Sequence, residues 1–146
     1  MKKTMFIILT FALSLLFTSC AQQGCTDRDA DNYSPLAKKE NYSCRYTGEH
    51  IIWYGAAVAD FFVNTAKIRT LHITTSSGQF DYHSARSYAY GPDKYDPGCI
   101  VLTLRWQDSK HLTDHVIITD DYGERVWTGD IVYGIKNPTS TELVLK

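Results

Sequence analysis

Three aspartates at alternating positions near the N-terminus have the residue type and spacing of a cation site. Asp27, Asp29 and Asp31 match the first half of an EF-hand calcium loop, in which alternate carboxylates bind the ion. The second half differs, because Asn32 stands where that loop needs glycine and Lys38 where it needs a bidentate glutamate. The alternative to calcium is a solvated acidic turn whose side chains cap backbone groups.

The histidines offer a second kind of chemistry. His111 and His115 are spaced i, i+4, which would let them share a metal on a helix, but the glutamate of an H-E-x-x-H motif is missing. This stretch is therefore interpreted as a polar loop between strands. A cleft that brought His83 and Asp96 together with His111 and His115 would favour a small exported enzyme using Asp and His residues of the 82–96 and 111–115 loops.

Cys99 is the cysteine to consider as a nucleophile. It leads straight into the apolar run IVLTLRW and has no histidine close in sequence, so we predict a buried, inert thiol. The chain also contains no G-x-S-x-G, S-x-x-K or P-loop motif, and these hydrolase and nucleotide-binding classes have no support.

A tyrosine-rich segment is the best candidate for binding. Tyr82, Tyr88, Tyr90 and Tyr95 lie in the stretch 81–99, whose glycines and prolines predict a long loop. Loops of this length are often functional, and tyrosines supply flat amphipathic contact area at a small entropic cost. We therefore predict that these four residues bind a protein or a glycan; the alternative is that the rings cover the rim of a sheet.

The N-terminus has the pattern of an export signal. Lys2 and Lys3 precede an apolar run over residues 5–17, interrupted only by Thr10 and Ser14. A membrane-spanning helix needs about 20 apolar residues, so this run is too short to be one. The segment is typical of a secretory signal peptide.

The stretch FTSC that ends at Cys20 resembles a bacterial lipobox, although phenylalanine stands where leucine is commoner. The resemblance implies that residues 1–19 are removed and that acylated Cys20 anchors the protein in a lipid bilayer. Two alternatives stay open: cleavage after Ala21, which would give a secreted protein, and retention of the segment as a membrane helix. No acidic run follows Cys20, which favours an outer membrane lipoprotein that faces the periplasm.

The charge balance argues against nucleic acid as a partner. Removal of residues 1–20 leaves 13 basic and 16 acidic residues, a net charge of −3, and no basic run remains after Lys3. Nucleic acid and anionic lipid headgroups need concentrated positive charge, so neither is expected to bind.

An exported protein can form disulfides, and Cys25, Cys44 and Cys99 remain after Cys20 is set aside. Their proximity in sequence favours a Cys25–Cys44 bridge, which would leave the third cysteine free or paired between chains. The segment 24–46 resembles a two-cysteine motif of exported bacterial proteins, GCTDxxAxNYxPxAxxxxxSCxY. The matching residues are Gly24, Cys25, Thr26, Asp27, Ala30, Asn32, Tyr33, Pro35, Ala37, Ser43, Cys44 and Tyr46. The resemblance implies a disulfide-closed module on a secreted or surface protein.

From residue 49 onward the hydrophobic pattern has the period of a β-strand. The run IVLTLRW, residues 100–106, alternates most clearly, 79–84 is predicted to return on 67–75 as a hairpin, and 56–65 is predicted to hold one short helical turn. Six or seven short strands without a long helix predict a mainly β protein. We expect a single antiparallel β-sandwich of immunoglobulin-like or transthyretin-like size, with a half-open barrel as the alternative.

These interpretations combine into one organisation: a signal peptide over 1–19, a tether over 20–23, a disulfide-closed motif over 24–48 and a β-sandwich over 49–146. The function that we predict is a membrane-anchored envelope lipoprotein, non-enzymatic, that binds an envelope protein or a glycan. The alternatives are the small exported enzyme described above and a structural or assembly subunit that adds strands to a partner.

Overall fold

The computed structural model describes residues 21–144. The predicted signal peptide and its lipidation site, Cys20, lie outside these residues. The elements are, in chain order, β1 (Gln23–Gly24), β2 (Lys39–Glu40), β3 (Arg45–Trp53), α1 (Ala56–Asp60), a π-helical turn (Phe61–Thr65), β4 (Thr70–Thr75), β5 (Phe80–Ser84), β6 (Ile100–Gln107), β7 (Thr113–Thr119), β8 (Arg125–Val132) and β9 (Thr139–Glu142). No helix among the described residues is long and apolar enough to cross a membrane.

Two sheets form the main body and confirm the predicted sandwich. One sheet has the order β6–β3–β9 and the other has the order β5–β4–β7–β8. A single core cluster joins their inner faces, with Ile52 and Leu102 from the first sheet and Leu71, Ile73 and Ile118 from the second. Every second residue of these strands faces the other sheet, so the alternation of apolar and polar residues in the sequence gives each sheet an apolar inner face.

One pairing differs from the antiparallel arrangement that we expected. β9 runs parallel to β3, with His50 opposite Thr139, and it begins two residues earlier than the predicted strand over 141–146. The chain reaches this position because Gly134, just after β8, pairs with Glu49 of the other sheet through two backbone hydrogen bonds of 3.0 Å. A bend at 135–137 then leads the chain to β9 alongside β3.

The imidazole of His50 connects β3 to β9. It is buried, its Nδ1 lies 2.7 Å from the Thr139 hydroxyl, and its Nε2 lies 3.0 Å from the Thr141 hydroxyl. Nδ1 also lies 3.2 Å from the carbonyl oxygen of Val132 at the end of β8. Burial lowers the pKa of His50, so the neutral ring is the form that the folded protein favours.

The two-cysteine motif is closed by the predicted disulfide between Cys25 and Cys44. The bridge packs with Ala30 and Tyr46 in a small cluster of its own, and Trp106 of the sandwich lies against that cluster. β3 begins at Arg45, directly after the second cysteine, and therefore crosses the boundary predicted between 48 and 49. The motif and the sandwich share a strand and are not separated by a linker.

Candidate ligand-binding surface

The loop between β5 and β6 presents its tyrosines from a fixed backbone. Ala89 is fully buried against Ile51 and Cys99, and its N–H donates to the carbonyl oxygen of Tyr54 at 3.0 Å. This anchor holds the middle of the loop on the sandwich. The residues on either side of it, Tyr88 and Tyr90, are therefore exposed at defined positions, with 39% and 87% of their surface accessible.

The two rings form an aromatic pair. The centroids of Tyr88 and Tyr90 are 5.6 Å apart with an angle of 84° between the planes, which is the edge-to-face geometry that aromatic rings prefer. Their hydroxyls lie 3.5 Å apart. The hydrogen bond with Tyr88 raises the pKa of Tyr90, which favours the neutral form of Tyr90. A phenolic hydroxyl can both donate a hydrogen bond to a ligand and accept one from it.

The other two predicted tyrosines lie in different surroundings. Tyr95 is 84% exposed, and the ammonium group of Lys94 lies 5.5 Å from the centre of its ring. Tyr82 is in β5, where its ring packs edge-on against Phe80 at 4.7 Å and against His72 at 5.0 Å. Of the four tyrosines predicted to bind a ligand, only Tyr88 and Tyr90 therefore contact each other.

A shallow groove of about 270 Å³ lies beside Tyr88. Its polar wall comes from Asp60 and Asn64, whose amide nitrogen donates to the Asp60 carboxylate at 2.6 Å, and from Arg86. Sequence analysis did not single out Asp60 or Asn64. Their i, i+4 spacing indicates that both side chains lie on one face of the predicted helical turn. Nothing in the sequence indicates that this face lies beside the tyrosines.

A separate, larger groove of about 600 Å³ is lined mainly by apolar residues. Its lining includes Phe61 and Phe62 of the π-helical turn, Trp127 of β8 and Leu143, together with the acidic residues Asp120 and Glu124. None of the residues predicted from the sequence to bind a ligand lies there. The groove joins the helical segment to the outer strand of the four-stranded sheet.

Each of the three aspartates of the predicted calcium loop has a partner elsewhere in the fold, and Lys110 forms ion pairs with both Asp27 and Asp29. Asp27 accepts a hydrogen bond from the Tyr46 hydroxyl at 2.9 Å, and Asp31 accepts one from the Thr47 hydroxyl at 2.6 Å. Asp29 forms ion pairs with Lys110 and Lys136, which lower its pKa to about 2. The carboxylates thus hold the motif to the sandwich.

The same residues do not converge on one point. Within residues 21–144, the only group of three potential metal ligands within 4.8 Å of one another is Cys25, Glu40 and Cys44. The two sulfurs of that group form the disulfide and therefore cannot bind a metal as thiolates.

The histidines do not meet in one cleft. His83 faces the core, where its ring lies edge-on to Tyr54 at 5.9 Å, and burial lowers its pKa. His115 is exposed and belongs to β7, since that strand begins at Thr113 and is longer than the pattern predicted. Cys99 is free and buried, as predicted, and burial raises the pKa of its thiol.

His115 takes part in a hydrogen-bonded chain on the outer face of β7 and β8. Its Nδ1 lies 2.6 Å from the Asp130 carboxylate, and its Nε2 lies 3.0 Å from the Thr128 hydroxyl. Hydroxyl, imidazole and carboxylate stand in the order of a hydrolase triad. All three side chains are exposed to water, whereas electrostatic catalysis of this kind depends on a site that excludes water.

Comparisons of this chain with protein-family models, with curated proteins and with solved structures found no match.

Proposed function

We propose that the mature protein is an outer membrane lipoprotein that is anchored by acylated Cys20 and faces the periplasm. The positive n-region, the short apolar run and the FTSC stretch support export and lipidation. The Cys25–Cys44 disulfide supports an oxidising compartment, because such bridges are rare in reducing ones.

The anchored domain is a non-enzymatic binding module, and its ligand is a glycan. The observation that carries this proposal is the presentation of Tyr88 and Tyr90 on either side of fully buried Ala89. Since the backbone is already fixed, little conformational entropy is lost when a ligand settles on the rings. The exposed parts of the pair offer apolar surface with a hydroxyl at its edge.

The groove beside Tyr88 supports a glycan in particular. A sugar ring combines an apolar face with many hydroxyl groups, and a matching site needs an aromatic ring next to donors and acceptors. Asp60, Asn64 and Arg86 supply carboxylate, amide and guanidinium groups to the groove that Tyr88 also lines. A few polar groups beside an apolar surface are also what fixes ligand orientation in small-molecule sites.

The binding test compares wild type with Tyr88→Ala and Tyr90→Ala on panels of polysaccharides and of envelope proteins. Each variant should weaken glycan binding by at least about tenfold, the loss expected when a hot-spot aromatic residue is removed. Tyr42→Ala is the matched control, because Tyr42 is 82% exposed but lies in the two-cysteine motif. Glycan binding that survives both loop substitutions would reject the surface, and binding only to a protein would replace the glycan as ligand.

The anchor is tested separately by the intact mass of the protein purified from membranes. A diacylglyceryl group on Cys20 is expected, and Cys20→Ser should release the protein from the membrane fraction. A mature chain that begins after Ala21 without lipid would show the secreted form instead.

A further inference from the structure

A third groove, which we call the basic groove, continues from the one beside Tyr88. It encloses about 1040 Å³, and its lining residues are Val63, Lys67, Ile68, Arg69, Ser84, Arg86, Asp121 and Tyr122. Val63 and Arg86 line both grooves. A chain-like ligand seated on Tyr88 can therefore extend past Arg86 without leaving the surface.

The basic groove carries more positive than negative charge. Lys67, Arg69 and Arg86 are all exposed, and no ion pair found between residues 21 and 144 includes any of them. Arginine side chains with free guanidinium groups bind carboxylate, sulfate and phosphate in a bidentate manner. This excess of positive charge is confined to the groove, since the chain after residue 20 has a net charge of −3.

The one acidic residue of the groove, Asp121, already has partners. One oxygen of its carboxylate accepts the backbone N–H groups of Arg69 and Thr70 at 2.7 and 3.2 Å. The other lies 4.0 Å from Nε2 of His72. These backbone bonds lower the pKa of Asp121 and fix the carboxylate as part of the groove wall, so it does not neutralise the arginine side chains by direct pairing.

Lys67 has a backbone conformation that lysine rarely adopts. Its φ is +60°, at the end of the π-helical turn, where glycine or asparagine is the usual residue. Its ammonium group donates to the carbonyl oxygen of Asn64 at 2.7 Å, which holds it over the turn. A strained position occupied by a charged residue is a reason to look for a role of the side chain.

We infer that the ligand of this surface is an acidic glycan, whose carboxylate, sulfate or phosphate groups lie in the basic groove while a sugar ring packs on Tyr88. The inference rests on the proposed function and adds the chemical class of the ligand. Tyr122, which is 78% exposed and also lines the basic groove, supplies a second aromatic surface for the same ligand.

The experiment measures binding of the mature protein, purified from membranes, to charged and neutral polysaccharides of matched backbone. The probes are polygalacturonate and its carboxyl-reduced form, a sulfated and an unsulfated galactan, and poly-glutamate as an acidic polypeptide. We expect at least one acidic polysaccharide to bind more tightly than its neutral counterpart by about tenfold or more, the value of one added charged hydrogen bond. Raising the salt concentration should remove this preference, because the exposed charges are screened.

The variant Lys67→Gln/Arg69→Gln removes two positive charges and the hydrogen bond from Lys67 to the Asn64 carbonyl oxygen, and it keeps the side chains of Tyr88, Asp60 and Asn64. It should lose the preference for the acidic probe and keep the binding of the neutral one. Arg28→Gln is the control, because Arg28 is an exposed arginine in the two-cysteine motif and should leave binding unchanged. Circular dichroism and the urea midpoint show whether each variant is folded.

The outcomes separate the two proposals. Equal binding of acidic and neutral polysaccharides, abolished by Tyr88→Ala, would overturn the inference and keep the glycan-binding function. Absence of binding to every polysaccharide would overturn both. Binding of poly-glutamate that depends on Lys67 and Arg69, without binding of acidic polysaccharide, would overturn the glycan in favour of an acidic protein.

Discussion

Gly98 packs directly against the backbone of Tyr88. A Cβ atom built on Gly98 would overlap the carbonyl carbon and oxygen of Tyr88, and it would stand 2.7 Å from the backbone nitrogen of Ala89. The Asp96 carboxylate fixes Gly98 from the other side by accepting its N–H at 2.8 Å. The start of β6 and the middle of the tyrosine loop are therefore held together by a contact that only glycine allows.

Gly98→Ala should disturb the presentation of Tyr88 and Tyr90, because the backbone has to separate to admit the methyl group. We expect a loss of 1–3 kcal/mol in the free energy of unfolding, roughly the range for overpacking in a core, together with weaker ligand binding. Urea unfolding measures the first effect, and titration with the polysaccharide probe measures the second.

Gly91→Ala in the same loop is the control, because a Cβ there meets no atom within 4 Å. It should leave both quantities unchanged. If the two alanine variants behave alike, the close contact between Gly98 and Tyr88 has no energetic role.

Removal of the disulfide should destabilise the protein. Cys25 and Cys44 are 19 positions apart, and a loop of about this length restricts the unfolded chain by about 3 kcal/mol in the chain-entropy model. The loss should reach β3, since Tyr46 of that strand packs on the bridge. We expect Cys25→Ser/Cys44→Ser to lower the urea midpoint, and we expect a reductant to lower it in the wild type alone. A reductant that affects both proteins equally would contradict this assignment.

The pKa of Asp29 should depend on two lysines. Lys110 and Lys136 depress it to about 2, so Lys110→Met and Lys136→Met should each move it back toward its ordinary value of about 3.9. The depressed value means that the ion pairs stabilise the fold above about pH 4 and that this contribution is lost as the pH falls toward 2. Carboxyl NMR titration measures the pKa directly. A value that both substitutions leave near 2 would show that the lysines do not cause the shift.

His50 should make the fold sensitive to mild acid. Burial lowers its pKa, so below its ordinary value of about 6.5 the unfolded chain takes up a proton that the folded protein does not. The stabilising contribution of neutral His50 is therefore fully present above that pH and decreases as the pH falls below it. Protonation would disturb the contacts of His50 with Thr139 and Thr141, so β9 would separate from β3 there. His50→Gln keeps hydrogen-bonding groups without the charge and should flatten the pH dependence below about pH 6.5. An unchanged slope would assign the effect to another group, of which His83 is the candidate.

The strands that alternate strongly were predictable from the sequence. The run from Ile100 to Trp106 became β6 with Ile100 and Leu102 buried, because a period of two is enough to place one face on a core. The early start of β7 was not predictable, because the fully polar Asp114 occupies an inward position. Asp114 is buried and accepts hydrogen bonds from Ser76, Ser77 and Tyr133. A pattern of hydrophobic residues cannot predict these partners, because they come from other parts of the chain.

The positions that elements distant in sequence take next to each other were also not predictable. The parallel pairing of β9 depends on how Gly134 meets Glu49 of the other sheet, which no local signal encodes. The candidate site shows the same limit. The tyrosine loop was found by composition, but Lys67, Arg69 and Arg86 come from separate segments, and only folding brings them to one groove.

The bridge between Cys25 and Cys44 also decides how the domain would respond to mechanical tension. A pull on the N-terminal end passes through the sulfur atoms, bypasses residues 26–43 and enters β3 at Arg45. β3 is the central strand of its sheet, with ladders to β6 over 45–52 and to β9 over 50–53, so the force is shared in shear by two rows of hydrogen bonds. A domain dragged from that end by flow would resist being unzipped strand by strand.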